Sequence, residues 1–258
     1  MKEIKRYKYK KCPLNEVSFQ VNFPTILKIE ENVPVDFQEK IRNSFPEFRK
    51  EVTQEKQINL NLNGSNNQEP LVSTKENNLY CFISKDGQSR VLLASNVFIV
   101  STLSYSNWED FLETIQHPLR SFIEIYNPSY FDRVGLKYVD AFNKKTLGLE
   151  GKKWKELIKP HLLGCLDFDD IDESRVPSNI LQSSIVMEFI CVNVKAGLAR
   201  LRKENEDAFV VDCEYFVEDE IETNMWSEKC ALMHDQSVRF FRKSITDELH
   251  NAMEPEEL

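Results

Sequence analysis

Two cations flank a glycine in the stretch Phe131–Phe142. A period of two places Val134, Leu136 and Tyr138 on one face of a strand and Arg133, Gly135 and Lys137 on the other. A glycine inside a strand marks a place where a ligand or another backbone comes close. An anionic group held between Arg133 and Lys137 over Gly135 is therefore one expectation. The other is that both cations pair with neighbouring carboxylates and Gly135 relieves crowding. A second set of chemical groups is acidic. Asp212 and Glu214 share a face of the strand-like run Phe209 to Val217, as paired catalytic carboxylates would, and Glu218, Asp219 and Glu220 extend the strip. No second motif accompanies them, so no catalytic residue is assigned, and the five acids are read as a docking strip for a basic partner.

The remaining candidates are weaker in chemical content. The run Asp167, Asp169, Asp170, Asp172 and Glu173 has enough carboxylates for a divalent cation but lacks the glycine and distant glutamate of a calcium loop, so a solvated acidic loop is expected. The six cysteines are scattered without a Cys-x-x-Cys, and the four histidines stand apart from them. No metal site is expected, and the thiols read as reduced. His234 lies on an apolar helical stripe, where a buried, hydrogen-bonded imidazole is the ordinary outcome. Seven glycines leave little material for a phosphate-cradling loop, and no nucleophile-elbow or phosphate-loop motif occurs, so no cofactor is expected. Lys2, Lys5, Arg6, Lys8, Lys10 and Lys11 interleave with Tyr7 and Tyr9, a pattern suited to a basic arm.

These groups are carried by elements that the pattern makes visible. Val17, Phe19, Val21 and Phe23 alternate with polar residues as a half-buried strand does. Pro34 opens a short helix with Phe37 and Ile41 inward, and Pro46 stops it. Ile58, Leu60 and Leu62 predict a strand, and residues 63 to 78 a loop. Tyr80 to Ser84 and Arg90 to Leu103 flank the hairpin dipeptide Asp86-Gly87. Ser106-Asn107-Trp108-Glu109 has capping-box spacing, and it begins a helix over residues 107 to 126 with a kink at Pro118. Phe131–Phe142 is the next strand, followed by a short helix around Trp154 to Ile158. Ile185 to Val194, Leu198 to Lys203 and Phe209 to Val217 are three more strands, and a closing helix spans residues 225 to 252.

Both halves thus read strand, helix, three strands, long helix. The fold class expected is α+β: antiparallel sheets with long helices packed on them, in duplicated β-α-β-β-β-α units over residues 1–128 and 129–258. This element order resembles the duplicated saddle of TATA-binding-like folds, a likeness of architecture that carries no function.

Several segments together resemble an uncharacterised, sporadically distributed bacterial family of about this length. They are Pro13-Leu14-Asn15-Glu16-Val17, Pro34-Val35-Asp36-Phe37-Gln38, Tyr105 to Phe111, Phe131 to Asp140 and the closing Phe241 to Met253. Around Gly135 the family pattern reads Arg-hydrophobic-Gly-Leu-Arg-Tyr, and here Lys137 replaces the second Arg. That change loses the planar fork suited to bidentate anion binding. The resemblance implies no assigned activity, and a patchy distribution implies a gene that moves between genomes, as those of defence or toxin–antitoxin loci do.

Charge layout gives the functional expectation. Residues 1 to 160 carry 24 basic and 20 acidic side chains, whereas residues 161 to 258 carry 9 and 22, so the C-terminal part is strongly negative. Such a field disfavours nucleic acid and favours a basic protein partner. With no bilayer-length apolar run and no secretory signal, a cytosolic, non-enzymatic binding protein is expected, with a nucleotide-like anion at Arg133 and Lys137 as the alternative.

Overall fold

Alternation at Leu14–Asn22 forms a strand whose inner residues Val17, Phe19 and Val21 are buried while Ser18 and Gln20 face outward. This pattern is repeated through a computed structural model that describes residues 5–59, 71–187, 189–201 and 206–257. In chain order the strands are β1 (Tyr7–Tyr9), β2 (Leu14–Asn22), β3 (Glu47–Asn59), β4 (Leu71–Ile83), β5 (Ser89–Ala94), β6 (Val97–Thr102), β7 (Phe131–Phe142), β8 (Ile180–Val186), β9 (Cys191–Leu201), β10 (Glu206–Ile221) and β11 (Pro255–Glu257). The helices are α1 (Leu27–Glu31), α2 (Val35–Ile41), α3 (Trp108–Tyr126), α4 (Lys144–Leu147), α5 (Trp154–Leu157), α6 (Trp226–Ser244) and α7 (Asp247–Ala252).

Nine strands form one antiparallel sheet in the order β3-β4-β5-β6-β2-β7-β10-β9-β8, and the protein is of the α+β class. The central pair β2–β7 joins the two halves. On each side the first strand of the half lies at the centre, the last lies beside it, and the others run outward. The first half carries four strands after its helices where three were expected, because Arg90 to Leu103 turns at Ser95-Asn96 and forms two strands.

The helices cover one face of the sheet. Phe122 of α3 packs on Phe23 and Phe98, with ring centroids 4.8 and 5.1 Å apart, and Trp226 of α6 meets Phe19 of β2 at 5.5 Å. Each fully buried aromatic of this kind contributes on the order of 2–3 kcal/mol. Asn107 caps α3 by accepting from the Asp110 amide at 2.8 Å, one position later than the expected box, and Asn127 ends it in the left-handed region at φ 44°. The helix runs unbroken through Pro118.

Three expectations are corrected. The closing helix is two helices. Ile245 is extended and bridges to Ile158, while Thr246 caps α7 and its hydroxyl donates to the Glu156 carbonyl at 2.9 Å. The polar run from 63 to 78 is partly strand, since β4 begins at Leu71. The stretch 60–70, including part of the expected Ile58 to Leu62 strand, lies outside the described residues. Finally, the expected strand Ile185 to Val194 is divided by a turn between Val186 and Cys191, and β9 runs on from Cys191 through Gly197 into the expected strand that starts at Leu198. A Cβ at Gly197 would lie 1.9 Å from the Asn179 carbonyl oxygen, so glycine is what lets the chain entering β8 lie against β9.

The chain ends meet as well. β1 pairs with β11, and Lys5, Lys10 and Lys11 pair with Glu257, Glu256 and Glu254 at 2.9–3.1 Å. Three lysines of the basic N-terminal segment are thereby neutralised by acids of the C-terminal stretch. This two-stranded ribbon lies over α6, where Arg6 reaches Asp235 at 3.1 Å.

Candidate functional site: a tyrosine-lined cavity with a buried carboxylate

The inner faces of β7 and β10, the helix α6, the start of α3 and the strand β1 line a half-open cavity of about 760 Å³. That volume suits a small organic ligand. Its lining is mostly apolar and aromatic. Tyr138, Asp140 and Phe142 come from β7, Val211, Cys213 and Tyr215 from β10, and Tyr9 from β1. The β7 residues lie on the inner face because the alternation begun at Val134 and Leu136 continues to Phe142. Asp140 therefore stands at a position where the pattern calls for an apolar side chain.

Asp140 faces Val211 on β10 and Leu14 on β2. Beside it, β2 carries one extra residue, Asn15, between Leu14 and Glu16, a bulge of the kind that re-aims side chains near sites. The residue is 7% exposed, its carboxylate oxygens open onto the cavity, and no hydrogen bond or ion pair engages them among the described residues. Burial alone pushes its pKa up from 3.8 to about 7. Tyr9, Tyr138, Tyr215, Cys12 and Cys213 are close enough for its charge to act on them, and none is a cation.

Charged side chains also line the cavity, Lys5, Arg6, Lys8, Glu109, Asp110 and Arg242, whereas His234 and Cys213 are held in neutral forms. The Tyr138 hydroxyl and His234 Nδ1 share a hydrogen bond of 2.8 Å, and the imidazole stacks on Trp108 with centroids 4.3 Å apart and planes 2° from parallel. Burial first, then the Arg6 charge, lowers the His234 pKa to about 4, so the ring is neutral at pH 7. This is the buried, bonded histidine that the helical stripe predicted. Burial, reinforced by the charge of Asp140, raises the Cys213 thiol to about 12, which removes it as a nucleophile. Ser244 lies 3.1 Å from His161 Nε2, but its hydroxyl donates to the Phe240 carbonyl at 2.8 Å. A serine whose proton is so engaged can only accept from His161, and an imidazole that donates is no base toward it. The arrangement is thus suited to holding a molecule rather than to activating a nucleophile.

The residues singled out from sequence lie on the opposite, open face of the sheet. Arg133 Nη2 donates to Glu214 at 2.8 Å and Nε to Glu218 at 3.3 Å, and its guanidinium lies 4.2 Å from the centroid of the Phe216 ring. Gly135 is opposite Phe216, and the Arg133 guanidinium folds over it, 3.3 Å from where a Cβ would be. Lys137 pairs with Asp212 at 2.9 Å. The sheet register therefore brings the expected anion site and three of the five acids of the expected docking strip together, each satisfying the other. Asp219 and Glu220 sit at a bulge in β10 between Glu218 and Ile221, exposed and without an ion pair among the described residues. In the acidic run, Asp169 pairs with Lys155, and Glu173 is half-buried, pairing with Lys144 at 3.1 Å and accepting from the Trp154 amide. No cluster of three metal-ligating side chains occurs among the described residues.

Sequence reasoning stopped the inner face of β7 at Tyr138 and so missed Asp140. The signal that finds it is the same period of two, carried one step further: Val134, Leu136, Tyr138, Asp140, Phe142. No protein-family model matches the chain, and no curated protein sequence matches it. No helix among the described residues is long and apolar enough to cross a membrane.

Proposed function

We propose that the protein is a non-enzymatic binding protein for a small, largely apolar molecule that occupies the cavity between β7, β10, α6 and β1. The observation that carries this reading is the aromatic-lined space of about 760 Å³ with the Asp140 carboxylate on its wall, 7% exposed and without a partner among the described residues. Keeping a carboxylate in such surroundings costs stability, and folds retain costs of this kind chiefly where a site needs them. The low basicity of His234 and the protonated thiol of Cys213 support binding over covalent chemistry at these two residues.

The test is titration with a neutral, environment-sensitive dye, N-phenylnaphthylamine. Saturable binding at one site is expected. It should be lost in Val238→Trp, which fills the space from a half-buried position on α6, while the melting temperature stays near that of the parent protein. No saturable binding, or equal binding by the variant, would overturn the reading.

A second reading, docking of a basic protein on the acidic C-terminal half, is supported by the exposure of Asp219 and Glu220. Arg133 and Lys137 already engage Asp212, Glu214 and Glu218, so the strip available to a partner is shorter than the sequence implies. Reversing the charges of Asp219 and Glu220 would slow association with such a partner, and the rate would fall with added salt.

A further inference from the structure

Resting on the cavity reading, we propose that the ligand is an organic amine whose ammonium group docks on the Asp140 carboxylate while its apolar body fills the tyrosine-lined space. Three observations converge on this class. First, Asp140 has no counter-charge among the described residues, so a ligand cation supplies what the fold leaves out. Second, Tyr9, Tyr138 and Tyr215 line the same cavity close enough to feel the Asp140 charge, and aromatic rings are favourable neighbours for a cation. Third, of the cations lining the cavity, Lys5 pairs with Glu257, Arg6 with Asp235 and Glu109, and Arg242 with Asp247, while the exposed Lys8 has no ion pair among the described residues, and none of the four neutralises Asp140. A carboxylate or phosphate ligand would meet the Asp140 charge unscreened. The cavity is also far larger than an ammonium ion, so recognition requires a bulky body behind the charge.

The ionisation of Asp140 fits this role. Burial holds its pKa near 7 in the empty cavity, and a bound ammonium would draw it back down, so proton and amine compete for one carboxylate.

The experiment displaces N-phenylnaphthylamine from the full chain at pH 8 with naphthylethylamine or with its neutral counterpart naphthylethanol. The amine is expected to bind about ten- to hundred-fold more tightly, as a charge-assisted hydrogen bond does over a neutral one. In Asp140→Asn this preference should vanish while the alcohol keeps its affinity. A second measurement needs no variant. Between pH 6 and 8 the amine affinity should rise and the alcohol affinity stay flat. Over that range the facing Tyr9, Tyr138, Tyr215, Cys12 and Cys213 remain protonated and His234 remains neutral. Equal displacement by both compounds, or a preference that survives in Asp140→Asn, would overturn the amine assignment and leave the cavity reading standing. Failure of dye, amine and alcohol alike to bind would overturn both.

Discussion

The guanidinium of Arg133 donates to the Glu214 carboxylate at 2.8 Å across β7 and β10, in a pair whose side chains are only 16% and 28% exposed. A cation placed to hold an anion and a carboxylate placed to meet a basic partner are thus bound to each other. With Lys137–Asp212 and Arg90–Glu16 they make the open face of the sheet a lattice of ion pairs. The charge of the C-terminal half is therefore partly spent within the fold.

Removing that cation should read as a loss of stability. Arg133→Ala leaves Glu214 half-buried without its partner and uncovers Phe216, and a cost of about 1–3 kcal/mol is expected in urea unfolding. Inorganic phosphate should leave the melting temperature of the parent protein unchanged. A phosphate-dependent rise that disappears in Arg133→Ala would instead support an anion site at Arg133 and Lys137.

Asp140 should make the protein less stable as pH rises. Its folded pKa of about 7 lies above its usual value of 3.8, so the folded state binds the extra proton. The associated stability is fully present below about pH 4 and lost as pH rises through 7. The full difference corresponds to about 4 kcal/mol. Asp140→Asn is accordingly expected to gain on the order of 1–4 kcal/mol at pH 8 and little at pH 4, read from denaturant unfolding at the two pH values.

His234 should act in the opposite sense. Its folded pKa of about 4 lies below the usual 6.5, so the unfolded chain takes up the proton first and stability falls as pH drops from 6.5 toward 4. The loss over that window is about 3 kcal/mol. In His234→Gln this slope should flatten, whatever the variant loses at neutral pH through the missing stack on Trp108. A histidine that titrates at its ordinary value in proton NMR would contradict the assignment.

The two glycines Gly197 and Gly151 should respond differently to alanine. At Gly197 the new methyl group would collide with the Asn179 backbone, whereas nothing lies within 4 Å of the corresponding point at Gly151. Gly197→Ala is expected to cost about 1–3 kcal/mol or more, and Gly151→Ala to stay within about 0.5 kcal/mol. Equal melting temperatures for the two variants would show that β8 does not lie against β9 as described.

What the amino-acid sequence determined by itself is what neighbouring residues decide among themselves. Period-two alternation along Leu14–Asn22 and Phe131–Phe142 places two strands of the central sheet. The Asn107 cap and Asn127 stop bound α3, and the apolar stripe of α6 assigns His234 to the interior. Where local cues overlapped, the limits blurred. Ile245 continues a helical spacing, yet it turns extended because Ile158, far away in the chain, offers it a bridge. The tertiary structure alone decided which charges cancel and which stands alone. Arg133 and Glu214 are 81 positions apart, and only the register of β7 on β10 makes them partners. The same register sets Asp140 beside Val211 and among tyrosines, while β1, held through β11, lines one side of the space. Periodicity assigns a residue to a face. It carries no term for what stands opposite, and the charge of Asp140 depends on that alone.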